Sequence, residues 1–130
     1  MFEKIEMLRM ARAMGQHTQA RHIEVARNIA NADTPGFRAH DLQPFAETYR
    51  QAEEGSTLRV SNARHLDAPQ WSPGGARVIE VAGPVSPNGN SVSLEEEMLK
   101  AAEVKRSYDL SLGIYRSALD LVRTSIGRRG

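Results

Sequence analysis

The sequence predicts a mainly α fold: long N- and C-terminal helices packing as a coiled-coil-like pair, with an irregular, partly β or disordered middle segment. Three observations carry the prediction. Apolar and small residues recur in alternating steps of three and four at both ends of the chain, all but one of the six prolines lie between 38 and 90, and the first apolar pattern stops at a Thr-Pro-Gly turn signal. The expected organisation is residues 1–37 as an N-terminal helix and turn and residues 91–130 as a C-terminal helix, together one helical domain, with 38–90 as a loop-rich insert.

From Phe2 to Ala32 the chain has no proline and one glycine. The three-four spacing selects Leu8, Ala11, Gly15, Thr18, His22, Val25, Ile29 and Ala32, the seam of a coiled coil, in which Thr18 and His22 are the misfits. Met7 and Met14 widen it on one side. At ~1.5 Å per residue such a helix is a rod of roughly 45 Å, too long for its thin stripe to be satisfied by a small domain's own core.

The segment NIANADTPGF, Asn28 to Phe37, should end this helix near Ala32. Pro35 disfavours helical geometry at Thr34, and Gly36 suits the positive φ of a type II turn. Asn28 and Asn31 stand one helical step round from the seam, where their amides can bond backbone or a neighbour. Phe37 is expected to pack back on the helices.

The insert carries only short apolar runs. A helix is plausible around Leu42 to Glu53. The run Leu58 to Val60 is short, and the β-branched Val78, Ile79 and Val81 suggest a strand or hairpin between a Pro73-Gly74-Gly75 turn and a Gly83-Pro84 stop.

The second helix has the better-specified start. Ser93 is a good N-cap, Glu96 completes a capping box, and Glu95, Glu96 and Glu97 lie where the helix dipole favours negative charge. Its seam runs through Leu94, Met98, Ala101, Lys105, Tyr108, Leu112, Tyr115, Leu119, Val122 and Ile126, broken only by Lys105. Arg123, Arg128 and Arg129 suit the negative end. A two-helix pair removes too little apolar area from water to offset its ordering entropy comfortably, so both seams call for neighbouring chains. Gly15 on the first seam and Gly113 beside the second allow close helix approach; for Gly113 a tolerated exposed glycine is an equal reading.

Composition narrows the function classes. The 130 residues suit one domain, 40% apolar but only 5% aromatic. Seventeen Lys and Arg against sixteen Asp and Glu give a net charge of +1 without a basic block, which argues against nucleic acid. The absence of cysteine removes disulfides, thiolate metal sites and thiol nucleophiles. No run of about 18 apolar residues spans a bilayer, and the mixed N-terminus does not read as a cleaved signal peptide.

The candidates for chemistry are weak. His17 and His22 are five apart and do not share a helix face as zinc-binding histidines do. His40 and His65 have Asp41 and Asp67 nearby, without a nucleophile or glycine-rich turn. The expected reading is a non-enzyme with no cofactor, no metal and no small-molecule substrate.

Two segments resemble the rod proteins of the bacterial flagellar basal body. One is Ala30, Asn31, Thr34, Pro35, Gly36 and Phe37, which supply that family's A-N-x-x-T-P-G-[YF] motif at the close of the first helix. The other is NGNSVSLEEEM, Asn88 to Met98, leading a seam helix that contains Arg106 and Tyr108. Together they cover about half the chain. Its short length makes it most like a proximal subunit of that family. The resemblance implies a structural subunit of the axial drive shaft, exported through the flagellar type III apparatus without a cleaved signal and located in the periplasm-spanning rod. Its implied partners are copies of itself, other rod subunits, and the export gate or membrane ring at the rod base. The residues assigned to assembly are Leu8, Ala11, Gly15, Val25 and Ile29 on the first helix; Asn28, Asn31, Thr34, Pro35, Gly36 and Phe37 at its end; and Met98, Tyr108, Leu112, Tyr115, Leu119, Val122 and Ile126 on the second. The competing reading is a cytosolic helical adaptor or secretion chaperone that binds one partner through its amphipathic helices.

Overall fold

A computed structural model describes residues 2–55 and 76–127. The runs at Leu58 to Val60 and Pro73 to Gly75, and the residues His65, Asp67, Arg128 and Arg129, lie outside the described residues. In order the elements are α1 (Phe2–Ala30), β1 (His40–Leu42), α2 (Phe45–Gly55), β2 (Val78–Glu80) and α3 (Leu94–Gly127). The fold is mainly helical, and its frame is α1 packed antiparallel on α3. Three contacts fix the register: Lys4 Nζ donates to Ser125 Oγ at 2.6 Å, Gly15 faces Ser111, and Arg21 reaches Glu103 at 3.3 Å. Among the described residues no helix is long and apolar enough to cross a membrane.

The helices meet along part of the seam expected on α1 but not along the one expected on α3. On α3 the residues buried against α1 are Glu97, Val104, Ser111 and Ala118, a seven-residue repeat displaced by one position from the predicted stripe. On α1 the buried set includes Ala11, Thr18, Val25 and Asn28, while His22 and Ile29 are exposed. The contact is therefore made of small and polar side chains. The larger apolar residues Leu94, Met98, Tyr108, Tyr115 and Ile126 remain in solvent, Met98 with 70% of its surface exposed. Thr18, a misfit in the predicted seam, is buried and bonds the Met14 carbonyl at 2.8 Å. Glu97 also departs from expectation. Its first-turn position suits the dipole, yet its side chain points inward and is 1% exposed.

Local signals placed the ends of both helices well. Helix α1 stops at Ala30, two residues before the expected limit, and α3 begins at Leu94, directly after Ser93. The Ser93 carbonyl accepts the first intrahelical bond, from the Glu97 amide at 3.0 Å. The insert is more ordered at its ends than its composition suggests. β1 pairs antiparallel with β2, Asp41 opposite Ile79, and α2 follows β1 three residues later than expected from Leu42. Ala20 of α1, Leu42 of β1 and Ala76 form a small buried cluster with Val78 packed against it, which seats the two strands on one flank of the helix pair. Strand β1 had no sequence signal: three residues, His-Asp-Leu, are too few for an alternation to register.

Candidate functional site

The end of α1 and the approach to α3 are locked together by backbone-directed asparagines. Asn31 Nδ2 bonds the Arg27 carbonyl at 2.8 Å, and Thr34 Oγ1 donates to Asn31 Oδ1 at 3.1 Å, which closes the helix. Pro35 and Gly36 then form the corner of a turn, with Gly36 at φ 76° and the Phe37 amide bonded to the Thr34 carbonyl at 3.2 Å. Proline at the second position and a positive-φ glycine at the third are the requirements of a type II turn.

The NGN segment docks on this turn. Asn90 is 2% exposed and spends both amide hydrogens on α1's exit, donating to the Asn31 and Thr34 carbonyls at 2.8 Å each. Its Oδ1 accepts the Val92 amide at 2.7 Å. An asparagine can do this because its amide offers two donors and an acceptor from one planar group. The Gly36 amide bonds the Asn88 carbonyl, and the Ser91 amide bonds the Phe37 carbonyl, both at 3.0 Å. Gly89, at φ 86°, lets the two backbones touch: a Cβ there would lie 3.3 Å from the Gly36 α-carbon. Phe37 stacks edge-on against His40 with ring centres 6.1 Å apart, so the contact that holds its ring is to β1.

A charged cluster ties the insert to the same frame. Arg21 of α1 grips Asp41 of β1 through Nε at 3.0 Å and Nη2 at 3.2 Å, and also reaches Glu103 of α3. Lys100 lies 3.3 Å from Glu97 and 4.0 Å from Asp41. Burial alone would lower the Arg21 pKa, but its bonds to Asp41 and the charges of Asp41 and Glu103 outweigh that and raise it above the ordinary arginine range. The guanidinium thus keeps its charge, and the fork geometry makes the pair directional.

The two sides of the helix pair differ. One flank is covered by β1 and α2, with His17 bonded to the Gln43 carbonyl at 2.8 Å and edge-on to Phe45. The opposite flank is an open groove between α1 and α3. A cavity of about 660 Å³ lies between His22 and Ile23 of α1 and Ala101, Lys105 and Tyr108 of α3. A second, of about 280 Å³, continues it past Gln19 and Tyr108 to Gly15, Leu112 and Tyr115.

The sequence-predicted residues therefore fall into three places. Ala11 and Val25 are inside the pair; Asn28 is buried in the last turn of α1 and bonds His40 of β1, while Asn31, Thr34, Pro35, Gly36 and Phe37 form with the NGN segment a clasp between the exit of α1 and the approach to α3. Gly15, Tyr108, Leu112 and Tyr115 line the open groove, with Met98 exposed on α3 beyond it. Leu8, Leu119 and Val122 are half-buried toward the end of the pair where Ile126 is exposed, and Ile29 is exposed at the other end. Sequence reasoning assigned no role to Asn90, Arg21 or Asp41, although the quoted N-G-N run contains the first. Among the described residues no group of three His, Cys, Asp or Glu side chains is placed to hold a metal ion.

No protein-family model matches the chain. Comparison with individual proteins finds several relatives. The chain is 32% identical over 121 residues to the flagellar basal body rod protein FlgB of Agrobacterium fabrum, covering 88% of each. It is 34% identical to the protein of that name from Cereibacter sphaeroides, over 87% of this chain and 92% of the relative. The Escherichia coli K12 protein of the same name is 28% identical over 86% and 87%. These alignments run through the insert as well as both helices, so they reach beyond the two terminal motifs. With identity above 30% across nearly nine-tenths of both chains, this chain belongs to the FlgB family of flagellar basal-body rod proteins.

Proposed function

We propose that the chain is a non-enzymatic structural subunit of the flagellar basal-body rod, built into the shaft through its terminal helices. The observation that carries this reading is the open apolar flank of the helix pair. Burying a Leu, Met or Tyr side chain contributes about 1.5–3 kcal/mol, and the fold leaves several of these unburied while closing its own interface with Ala, Ser and Thr. A monomer arranged this way keeps its strongest apolar contacts for other chains.

In this reading the clasp sets where the insert leaves the helix pair, and β1, α2 and β2 lie on the flank opposite the groove. The subunit reaches the rod through the flagellar type III apparatus without a cleaved signal peptide. Its neighbours are copies of itself and other rod subunits, with the export gate and membrane ring at the base. Removing the gene should abolish flagella, and the tagged protein should co-purify with basal bodies. Recovery only from the soluble cytoplasm of flagellated cells would overturn the reading in favour of an adaptor.

A further inference from the structure

We propose that Asn88 is a deamidation site whose reaction is held off by the closed clasp and released when the clasp opens. The asparagines of the chain are Asn28, Asn31, Asn62, Asn88 and Asn90, and Asn88 alone precedes a glycine. With no side chain on the following residue, the Gly89 nitrogen has unhindered access to the Asn88 Cγ once the backbone turns to present it. The Gly89 N–H gives its proton to hydroxide, the N–Cγ bond forms, and the bond from Cγ to the side-chain nitrogen breaks. That nitrogen takes up a proton and leaves as ammonia, and a five-membered succinimide remains. Water then opens the ring, giving aspartate by attack at Cγ or isoaspartate by attack at the main-chain carbonyl. Nothing is oxidised or reduced, and Asn88 is exposed, so the one co-reactant is at hand.

The closed clasp keeps the reacting atoms apart. The Gly89 amide donates to the Ser86 carbonyl and the Ser86 amide to the Asn90 carbonyl, both at 2.8 Å, so Pro87, Asn88 and Gly89 form a three-residue hairpin loop. Among the described residues only Gly36 and Gly89 have a positive φ, which makes the turn through Pro87 and Asn88 type I, with ψ at Asn88 about 0°. Ring closure needs the Gly89 nitrogen eclipsed with the Asn88 Cβ, a third of a rotation away about the Cα–C bond. That rotation swings the Asn88 carbonyl off the Gly36 amide, takes the Gly89 amide from Ser86, and carries Asn90 away from the Asn31 and Thr34 carbonyls. The Asn88 Oδ1 is also held, by the Asn90 amide at 3.1 Å. The rate therefore follows the population of the open clasp. The product acts back on it. Isoaspartate lengthens the main chain by one CH2 directly before Gly89, where a Cβ would already lie 3.3 Å from the Gly36 α-carbon, so a chain that has reacted this way does not reclose.

The test uses the purified full chain in mildly alkaline buffer, native and in urea, with aspartate and isoaspartate at residue 88 followed by peptide mass mapping. Conversion should be several-fold slower in the native chain than in urea. Asn90→Ala removes the two bonds to the exit of α1 and should move the native rate toward the rate in urea, with helix content by circular dichroism unchanged. Equal rates for the unaltered chain in the two conditions would overturn the proposal. So would an Asn90→Ala chain with intact helices that converts no faster than the unaltered one, or conversion that appears first at another asparagine. Should Asn90→Ala lose its helices, Asn90→Asp takes its place with the same two outcomes, since it keeps an acceptor for the Val92 amide and lacks the donors. Isoaspartate-bearing chain returned from urea should have lost hydrogen-exchange protection at the Gly36 and Ser91 amides; full protection there would contradict the claim that the clasp stays open.

Discussion

Asn28 bonds both backbone groups of His40: its Nδ2 donates to the His40 carbonyl at 2.7 Å and its Oδ1 accepts the His40 amide at 3.1 Å. Twelve residues apart, the two positions bring the last turn of α1 and the first residue of β1 together, and Asn28 is 0% exposed. The side chain imitates a strand backbone, so β1 is paired by β2 on one edge and by an asparagine at its start.

Truncating that amide should be expensive. Asn28→Ala removes two buried bonds and strands their partners, an expected loss of about 2–4 kcal/mol in urea unfolding. Asn28→Asp should cost at least as much, because a carboxylate cannot donate to the His40 carbonyl. A loss below about 0.5 kcal/mol, the scale of ordinary surface substitutions, would show that the contact does not hold the strand.

The two positive-φ glycines should differ. Gly36→Ala meets open space and pays only for its backbone conformation, about 1–2 kcal/mol. Gly89→Ala carries the same strain and must also push the Gly36 backbone away from 3.3 Å, so it should lower the unfolding midpoint further. For assembly, Gly36→Val should be worse than Asp33→Ala, since Asp33 is exposed. Equal tolerance of Gly36→Val and Asp33→Ala would mean that the turn does not set the geometry.

Arg21 and Asp41 should couple. A double-mutant cycle with Arg21→Ala and Asp41→Ala is expected to give about 1–2 kcal/mol, above the range for exposed pairs because both side chains are largely covered. Independent effects would mean that β1 is seated by the Ala20, Leu42 and Ala76 cluster and the Asn28 bonds, without this ion pair.

Glu97 is a candidate for stabilisation. Its Oε1 faces Lys100, but its buried Oε2 has no hydrogen-bond partner among the described residues. Replacing both members of a buried ion pair by apolar side chains of similar size can gain about 1–4 kcal/mol, whereas removing one leaves the other charge uncompensated. Glu97→Leu combined with Lys100→Met should therefore raise the thermal midpoint of the monomer, and a clear fall would show that the charged pair holds the helices together.

The sequence was legible where structure is local. Gly36 needs its φ, Pro35 ends a helix and Ser93 starts one whatever surrounds them, so α1's exit and α3's start could be placed within a few residues. On α1 the spacing found Ala11, Thr18 and Val25, which are buried, but on α3 the contact face was misjudged by one position. Periodicity finds the most apolar stripe, whereas α3 turns Glu97, Val104, Ser111 and Ala118 inward and leaves Met98 and Tyr108 outside. Asn90 and Asp41 were not legible because their roles depend on distant partners: Asn90 reaches Thr34 and Asn31, 56 and 59 residues away, and Asp41 reaches Arg21, 20 residues away.

The most direct measurement is the amount of chain recovered in purified basal bodies when Met98, Tyr108 and Tyr115 are all changed to Ser. Met98 is 70% exposed, whereas Tyr108 and Tyr115 are 37% and 38% exposed and keep part of each ring covered, so the monomer should change little at Met98 and lose no more than about 1–3 kcal/mol at each tyrosine. The account predicts a folded monomer that is absent from the rod. Incorporation at the level of the unaltered chain would contradict it.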